Sequence, residues 1–291
     1  MMRSLACGVL LLSLPMVPPA RTARPARPAP PPLRLYVLDC GTTDHVDPTR
    51  FGLPTVAVPR LADPCFLIVH PKGTLLWDAG AYPDSAWTPD GTPQAKRVTL
   101  PGGTGRDVTV RDRLSAQLER VGVPPERITY VGLSHAHWDH TANLYQFPHA
   151  TWILRRAELD AMTATPPLPL SQPSDWAALP GVRLVALGAE DYDVFGDGRV
   201  ILKFAPGHTP GHQVLYVRLA RTGGVLLAGD LYHFPEQVAA GTVPAFDYDT
   251  AATRASRADV AAWLKARGGV MWIQHDFVGN ALLRKAPAYY E

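Results

Sequence analysis

Cysteine is scarce in this chain: Cys7, Cys40 and Cys65 are the three thiols among 291 residues. Three cannot staple a disulfide scaffold, and no two of them form a Cys-x-x-Cys metal or redox pair. Charged residues make up 19%, yet the 46% hydrophobic content excludes a disordered tail or linker and suffices for one large domain or two small ones. Lys and Arg number 28 against 26 Asp and Glu. Arg3, Arg21, Arg24 and Arg27 all fall in the first 28 residues, where no acid occurs, and setting those four aside leaves 24 basic against 26 acidic residues. The body therefore has no basic surplus to recruit nucleic acid. No self-similar period of about 20 to 50 residues is visible, which sets aside solenoids and propellers.

The apolar run at 5–17, broken by Ser13 and Pro15, is too short to span a bilayer. With Arg3 before it and the small Ala20 after it, residues 1–20 read as a secretory signal peptide. The expectation is a secreted or periplasmic protein with no membrane attachment after cleavage. Leu5-Ala6-Cys7-Gly8 looks like a lipoprotein box but precedes the apolar stretch, so lipidation is discounted. Residues 21–32 are mostly Pro, Ala and Arg, an extended solvated tether, and one folded domain is expected over 33–291. In an oxidising compartment Cys40 and Cys65 could form a bridge, or remain two buried thiols.

Short apolar runs at 33–38, 65–69, 74–77, 128–133, 151–154, 182–187, 200–204, 214–219, 225–228 and 270–273 predict strands. Residues 109–121 place Val110, Leu114, Leu118 and Val121 on one helical face, with Thr109 and Asp112 as a capping pair and Gly122 and Pro124 as the stop. Residues 249–267 predict a second helix ended by Gly268-Gly269. Strands in two groups with interspersed helices suggest an α/β fold of two sheets between helical layers. Segments 47–64, 83–105 and 165–180 are rich in Pro and Gly and read as long loops, the kind that line binding sites.

What is plentiful is histidine, ten in all. After the strand at 128–133 comes Ser134-His135-Ala136-His137-Trp138-Asp139-His140. In a strand-turn-helix context His135 and His137 can aim at one point while Asp139 and His140 aim at a second, so two metal ions could share the loop. Three other predicted strands end in a lone ligand type: His208 after 200–204, Asp230 after 225–228, and His275-Asp276 after 270–274. Ligand candidates beyond four strand ends suggest that one face of the sandwich holds the whole site.

Through the His-x-His-x-Asp-His run and the later His, Asp and His, the sequence resembles the metallo-β-lactamase superfamily. Within it the chain looks most like the N-acyl homoserine lactonases, through the helix before the motif strand, Pro206-Gly207-His208-Thr209-Pro210-Gly211-His212 and the terminal His275-Asp276. The resemblance implies a single-domain, four-layer αβ/βα sandwich. It implies one zinc on His135, His137 and His208, a second on Asp139, His140 and His275, and Asp230 bridging them. Zinc is preferred on ligand type, although Fe, Mn or Co would suit the same donors. Asp78, in Trp77-Asp78-Ala79-Gly80, matches the superfamily's Asp-x-Gly, which orients a ligand histidine.

The implied activity is opening of lactones, N-acyl homoserine lactones foremost, by attack of a metal-bridging hydroxide, with Asp139 moving the proton and quorum quenching as the role. Such lactonases commonly carry a Tyr three residues after the bridging Asp. Here that position is His233 and Tyr232 is one residue early, so either Tyr232 swings in, His233 takes the role, or the substrate differs. Trp138 is expected at the pocket mouth, and Phe51, Leu53 and Trp87 in the long loops either contact an acyl chain or pack down on the domain. His212 reads as structural, hydrogen-bonding the ligand loop, and His45, His70 and His149 as surface or core residues. The rivals are a β-lactamase, a thioester or other ester hydrolase of the same fold, and a non-catalytic metal-binding protein. The partner expected is a small-molecule lactone or ester, and a homodimer is left open.

Overall fold

In the first strand, β1 (Arg34–Asp44), Leu35 and Val37 point to one face and Tyr36 and Leu38 to the other, and all four are buried. A strand apolar on both faces needs a packed layer on each side, and that requirement organises the rest of the chain. The computed structural model describes residues 32–88 and 93–291. The expected signal peptide and all but the last residue of the tether lie outside the described residues.

Two sheets form. The eight-stranded one runs in the order β4-β5-β1-β2-β3-β6-β7-β8, with β2 (Leu61–His70), β3 (Gly73–Trp77), β4 (Gln94–Thr99), β5 (Gly105–Val110), β6 (Tyr130–Gly132), β7 (Thr151–Arg155) and β8 (Arg183–Leu187). The five-stranded one runs β13-β12-β11-β10-β9, with β9 (Tyr192–Asp193), β10 (Val200–Phe204), β11 (Gln213–Leu219), β12 (Gly223–Leu227) and β13 (Val270–Trp272). The helices are α1 (Leu114–Arg120), α2 (Trp138–Thr141), α3 (Arg156–Thr163), α4 (Glu236–Ala240), α5 (Thr250–Arg267) and α6 (Phe277–Leu282).

Val37, Ile68 and Leu75 of the first sheet meet Leu202, Leu215 and Val217 of the second in one core. The outer face of the first sheet takes Leu114 and Leu118 of α1 and Met162 of α3. The outer face of the second takes Val260 and Leu264 of α5. The expected four-layer αβ/βα sandwich follows. Every apolar run read as a strand contributes one, and α5 starts where expected, with the Asp249 carboxylate accepting from the Ala251 and Ala252 N–H groups at 2.9 Å each. Cys40 and Cys65, on neighbouring strands β1 and β2, are joined by a disulfide with their Cα atoms 5.7 Å apart. Among the described residues no helix is long and apolar enough to cross a membrane.

Three expectations are corrected. The helix read at 109–121 begins only at Leu114, because Thr109 is a β5 residue whose hydroxyl donates to Asp44 at 2.5 Å. The segment read as a loop at 83–105 contains β4, paired antiparallel with β5. Its half-exposed Gln-Ala-Lys-Arg-Val-Thr sequence carries too little apolar alternation to announce a strand. The expected Thr109/Asp112 cap is also replaced. Asp84, thirty residues upstream of Leu114, accepts from the Leu114 N–H at 2.9 Å and the Ser115 N–H at 2.8 Å. Asp84→Ala is therefore expected to lower stability by about 1–2 kcal/mol in urea unfolding, and an unchanged midpoint would show that the cap is redundant.

Candidate metal centre

Strands β3, β6, β10, β12 and β13 all end at the same side of the sandwich, β3 running directly into Asp78 and the others reaching His135, His208, Asp230 and His275 within four residues of their ends. Asp230 stands at the middle. His208 Nε2 is 3.2 Å and His135 Nε2 3.6 Å from its Oδ2, and His137 Nδ1 is 2.9 Å from His208 Nε2. On the other side His140 Nε2 is 3.0 Å and His275 Nε2 2.9 Å from its Oδ1. Asp139 lies 3.8 Å and 3.9 Å from those two nitrogens. Among the described residues the donor atoms fall into three overlapping sets, His135, His137, His208 and Asp230; Asp139, His140 and His275; and Asp230, His233 and His275, each within 4.8 Å.

These donors fit metal ions. His135 Nε2 is buried and has no hydrogen-bond partner, an arrangement that costs free energy unless something else takes the lone pair. His and carboxylate donors suit zinc and its first-row neighbours. The outward nitrogen of four rings is already engaged: His135 Nδ1 by Ser134 Oγ at 3.0 Å, His140 Nδ1 by Asp78 at 2.9 Å, His208 Nδ1 by Asp247 at 2.9 Å and His275 Nδ1 by the Ala62 carbonyl at 2.7 Å. Each pairing fixes its ring so that Nε2 faces the centre. Burial opposes the charge on Asp230, but the imidazoles of His275, His135 and His140 hold its carboxyl well below the ordinary range.

The loops between ligands are tied to one another. Asp78, in a left-handed conformation (φ 60°), accepts from the Ser134 N–H at 2.7 Å and from Gln274 Nε2 at 2.8 Å. Gln274 Oε1 takes the Gly229 N–H at 2.9 Å, so the ends of four strands share one net. His212 donates Nδ1–H to the Ala205 carbonyl at 2.8 Å and accepts the Asp230 N–H on Nε2 at 3.0 Å, and burial drops its pKa to about 4. It is a neutral structural residue that holds the Asp230 turn. That turn needs Gly229: its φ is 51°, and a Cβ there would lie 2.7 Å from His212 Nε2 and 2.8 Å from Ser134 Cβ.

Glu158 of α3 was invisible in the sequence. Its buried carboxylate accepts from the Ala136 N–H at 2.7 Å, between two ligand histidines, and from Thr209 Oγ1 at 2.7 Å and the Gly211 N–H at 2.9 Å, beyond a third. Asp247, in the segment between α4 and α5, also stood in no motif, and neither residue carried a spacing signal.

A cavity of about 290 Å³ opens over this centre. Trp138 lines it together with Leu61, Leu170 and Phe246, as does Phe51, which also packs down on Leu61 and Phe234. Leu53 does not: it is buried against Phe51, Leu61 and Phe234, one layer behind the wall. Trp87 likewise packs in the cluster of Val108 and Val110, outside the lining. The structure separates the two candidates after the bridging Asp. Tyr232 lies under the Arg257 guanidinium, 4.0 Å from its ring centre, in the α5 layer. His233 faces the cavity, its Nε2 3.0 Å from Asp230 Oδ2 and its ring stacked 5.4 Å from that of His275. Of the remaining histidines, His70 pairs with Asp197, His149 with the Pro125 carbonyl, and His45 is exposed near Asp107.

The family model described as the metallo-beta-lactamase superfamily matches residues 59–268. The chain belongs to this superfamily. Among similar members, N-acyl homoserine lactonase AttM of Azorhizobium caulinodans is 32% identical, over 89% of this chain and 99% of its own. An N-acyl homoserine lactonase of Bacillus thuringiensis is 28% identical, over 77% and 85%. The crystal structure of a quorum-quenching N-acyl homoserine lactone lactonase superposes with a TM-score of 0.70 at 25% identity, covering 88% of this chain and 97% of its own.

Two predictions arise from the supports of the centre. Glu158→Gln exchanges an acceptor-only carboxylate for an amide facing two N–H donors, and should weaken metal affinity at least about tenfold in chelator competition; wild-type affinity would mean that the two ligand loops hold without the tie. Asp175, which accepts from the Thr141 hydroxyl at 2.9 Å behind α2, is pushed up to about 6 by burial. Its proton is held more tightly folded than unfolded, so stability falls as pH rises through roughly pH 4 to 6. Asp175→Asn should therefore gain about 1–2 kcal/mol over wild type at pH 8 and nothing at pH 4 in thermal melts.

Proposed function

We propose that the chain is a metal-dependent lactonase that opens N-acyl homoserine lactones, with two divalent ions, zinc by ligand type, and that it works after export. The observation that carries the hydrolase reading is Asp230, whose two oxygens each serve a different set of histidines. The near-full-length match to AttM supports the lactone. The Cys40–Cys65 bridge, a bond that persists in oxidising compartments, supports a secreted or periplasmic location.

Bound in such a site, divalent ions supply an acidified water and a Lewis acid for the carbonyl oxygen. The protein's own groups do the rest. Trp138, Phe51, Leu61 and Phe246 take the carbon skeleton and exclude water from around it. Burial lowers the pKa of His233 and favours its neutral imidazole, whose Nε2, beside Asp230 Oδ2 at the cavity, is the nitrogen that would turn its N–H to the substrate's carbonyl oxygen. Asp139 lines the cavity between His140 and His275, where it accepts the proton of the attacking water and passes it to the ring oxygen as the ester bond breaks. The product is the open-chain hydroxy acid, with the proton and the oxygen of water both accounted for.

The test pairs elemental analysis with hydrolysis of hexanoyl and decanoyl homoserine lactones and a cephalosporin, using Asp230→Ala as control. The expected result is about two metals per chain and lactone opening, both lost in the variant. Cephalosporin turnover without lactone opening would transfer the reading to the β-lactamases, and metal without hydrolysis of any ester would leave a binding protein.

A further inference from the structure

Two arginines on the outer wall of the cavity stand outside the ion pairs that engage its other charged residues. Arg106 of β5 and Arg50 of the turn Pro48–Phe51 both line it. The acids beside them are engaged elsewhere. Asp44 accepts from Arg60 Nε at 2.7 Å and from Thr109, Asp107 pairs with Arg97 and lies 3.5 Å from His45, and Asp47 caps its own turn through the Thr49 N–H at 3.0 Å. Among the described residues Arg106 donates only to the adjacent Gly105 carbonyl, and Arg50 only rests over the Phe246 ring at 5.3 Å. Among the described residues neither guanidinium has a carboxylate within ion-pair distance; Asp47 acts on Arg50, and Asp139 on Arg106, only from further off.

Their placement is built in. Phe51 anchors the Arg50 turn by packing its ring 4.7 Å from His233, 5.2 Å from Phe234 and 5.3 Å from Phe246. Arg106 is half-buried on a strand, and its protonated form is disfavoured by burial and then by the nearby Arg50, with Asp139 pulling the other way. Two like charges held together at the edge of the cavity, with the Gly105 carbonyl the one acceptor they meet among the described residues, suit an anion from outside.

We propose that Arg50 and Arg106 form a subsite for a carboxylate carried on the substrate's acyl substituent, so that the preferred lactones are anionic rather than plain alkyl. The inference rests on the lactonase reading above. In this arrangement the ester bond sits at the histidine centre, the methylenes run past Trp138 and Phe246, and the terminal carboxylate takes the two guanidinium forks, which match its geometry.

The test compares kcat/KM for hexanoyl homoserine lactone and for its adipoyl counterpart, of the same chain length with a terminal carboxylate. A ratio of at least about tenfold in favour of the adipoyl substrate, falling toward one in Arg106→Gln and Arg50→Gln, is the expected result. The ratio is internal to each preparation, so partial unfolding of a variant does not alter it. A ratio near one in the wild type, or a preference that survives both substitutions, overturns the subsite. If neither lactone is opened, the lactonase reading has failed and the subsite is read by binding. Adipate should then quench the fluorescence of the metal-loaded protein at a lower concentration in the wild type than in the double variant, and equal titrations overturn the proposal.

Discussion

Asp230 is a buried carboxylate shared between two sets of imidazoles, and the surrounding architecture depends on that sharing. Burying one charged or polar group without a partner costs several kcal/mol, and here many are buried together. The fold meets this by giving His135, His140, His208 and His275 a partner for the outward nitrogen, leaving the inward ones convergent. The donors cannot all come from one segment, because a single strand-turn-helix reaches at most one side of Asp230 and part of the other. His208, Asp230 and His275 arrive from the second sheet, and His135 to His140 from the first.

Holding two sheets in register at their ends then becomes the structural task. The apolar core between them sets their spacing, but apolar contacts are non-directional and would tolerate small slips. Directional bonds remove that freedom. Gln274 links the Asp78 and Gly229 turns, His212 holds the Asp230 N–H, and Glu158 joins the loop of His135 and His137 to the loop of His208. The left-handed Asp78 is a cost accepted at the point where several of these bonds meet.

The cavity wall obeys a looser rule. It is assembled from the turn at Pro48–Phe51, the β4–β5 hairpin and the segment that carries Phe246, elements tied to the body by the packing of Phe51 on His233 and by the pairing of β5 with β1. Such segments lie outside the bonds that join the ligand loops, the position in which loops of many proteins vary while the scaffold stays fixed. The positive edge of Arg50 and Arg106 belongs to this wall.

Much of the centre was legible along the chain. His135, His137, Asp139 and His140 fall within six positions because a strand, a turn and one helical turn deliver them, and His208, Asp230 and His275 each follow a short apolar run that marks a buried strand. These signals are local: dihedral preference and hydrophobic period act between neighbours. What only the tertiary structure decided is what depends on segments meeting across the fold. Asp84 capping α1, Glu158 under two ligand loops, the Cys40–Cys65 bridge, and His233 rather than Tyr232 facing the cavity each pair residues that no spacing relates, because a hydrogen bond or a disulfide requires only that two groups arrive at the same place.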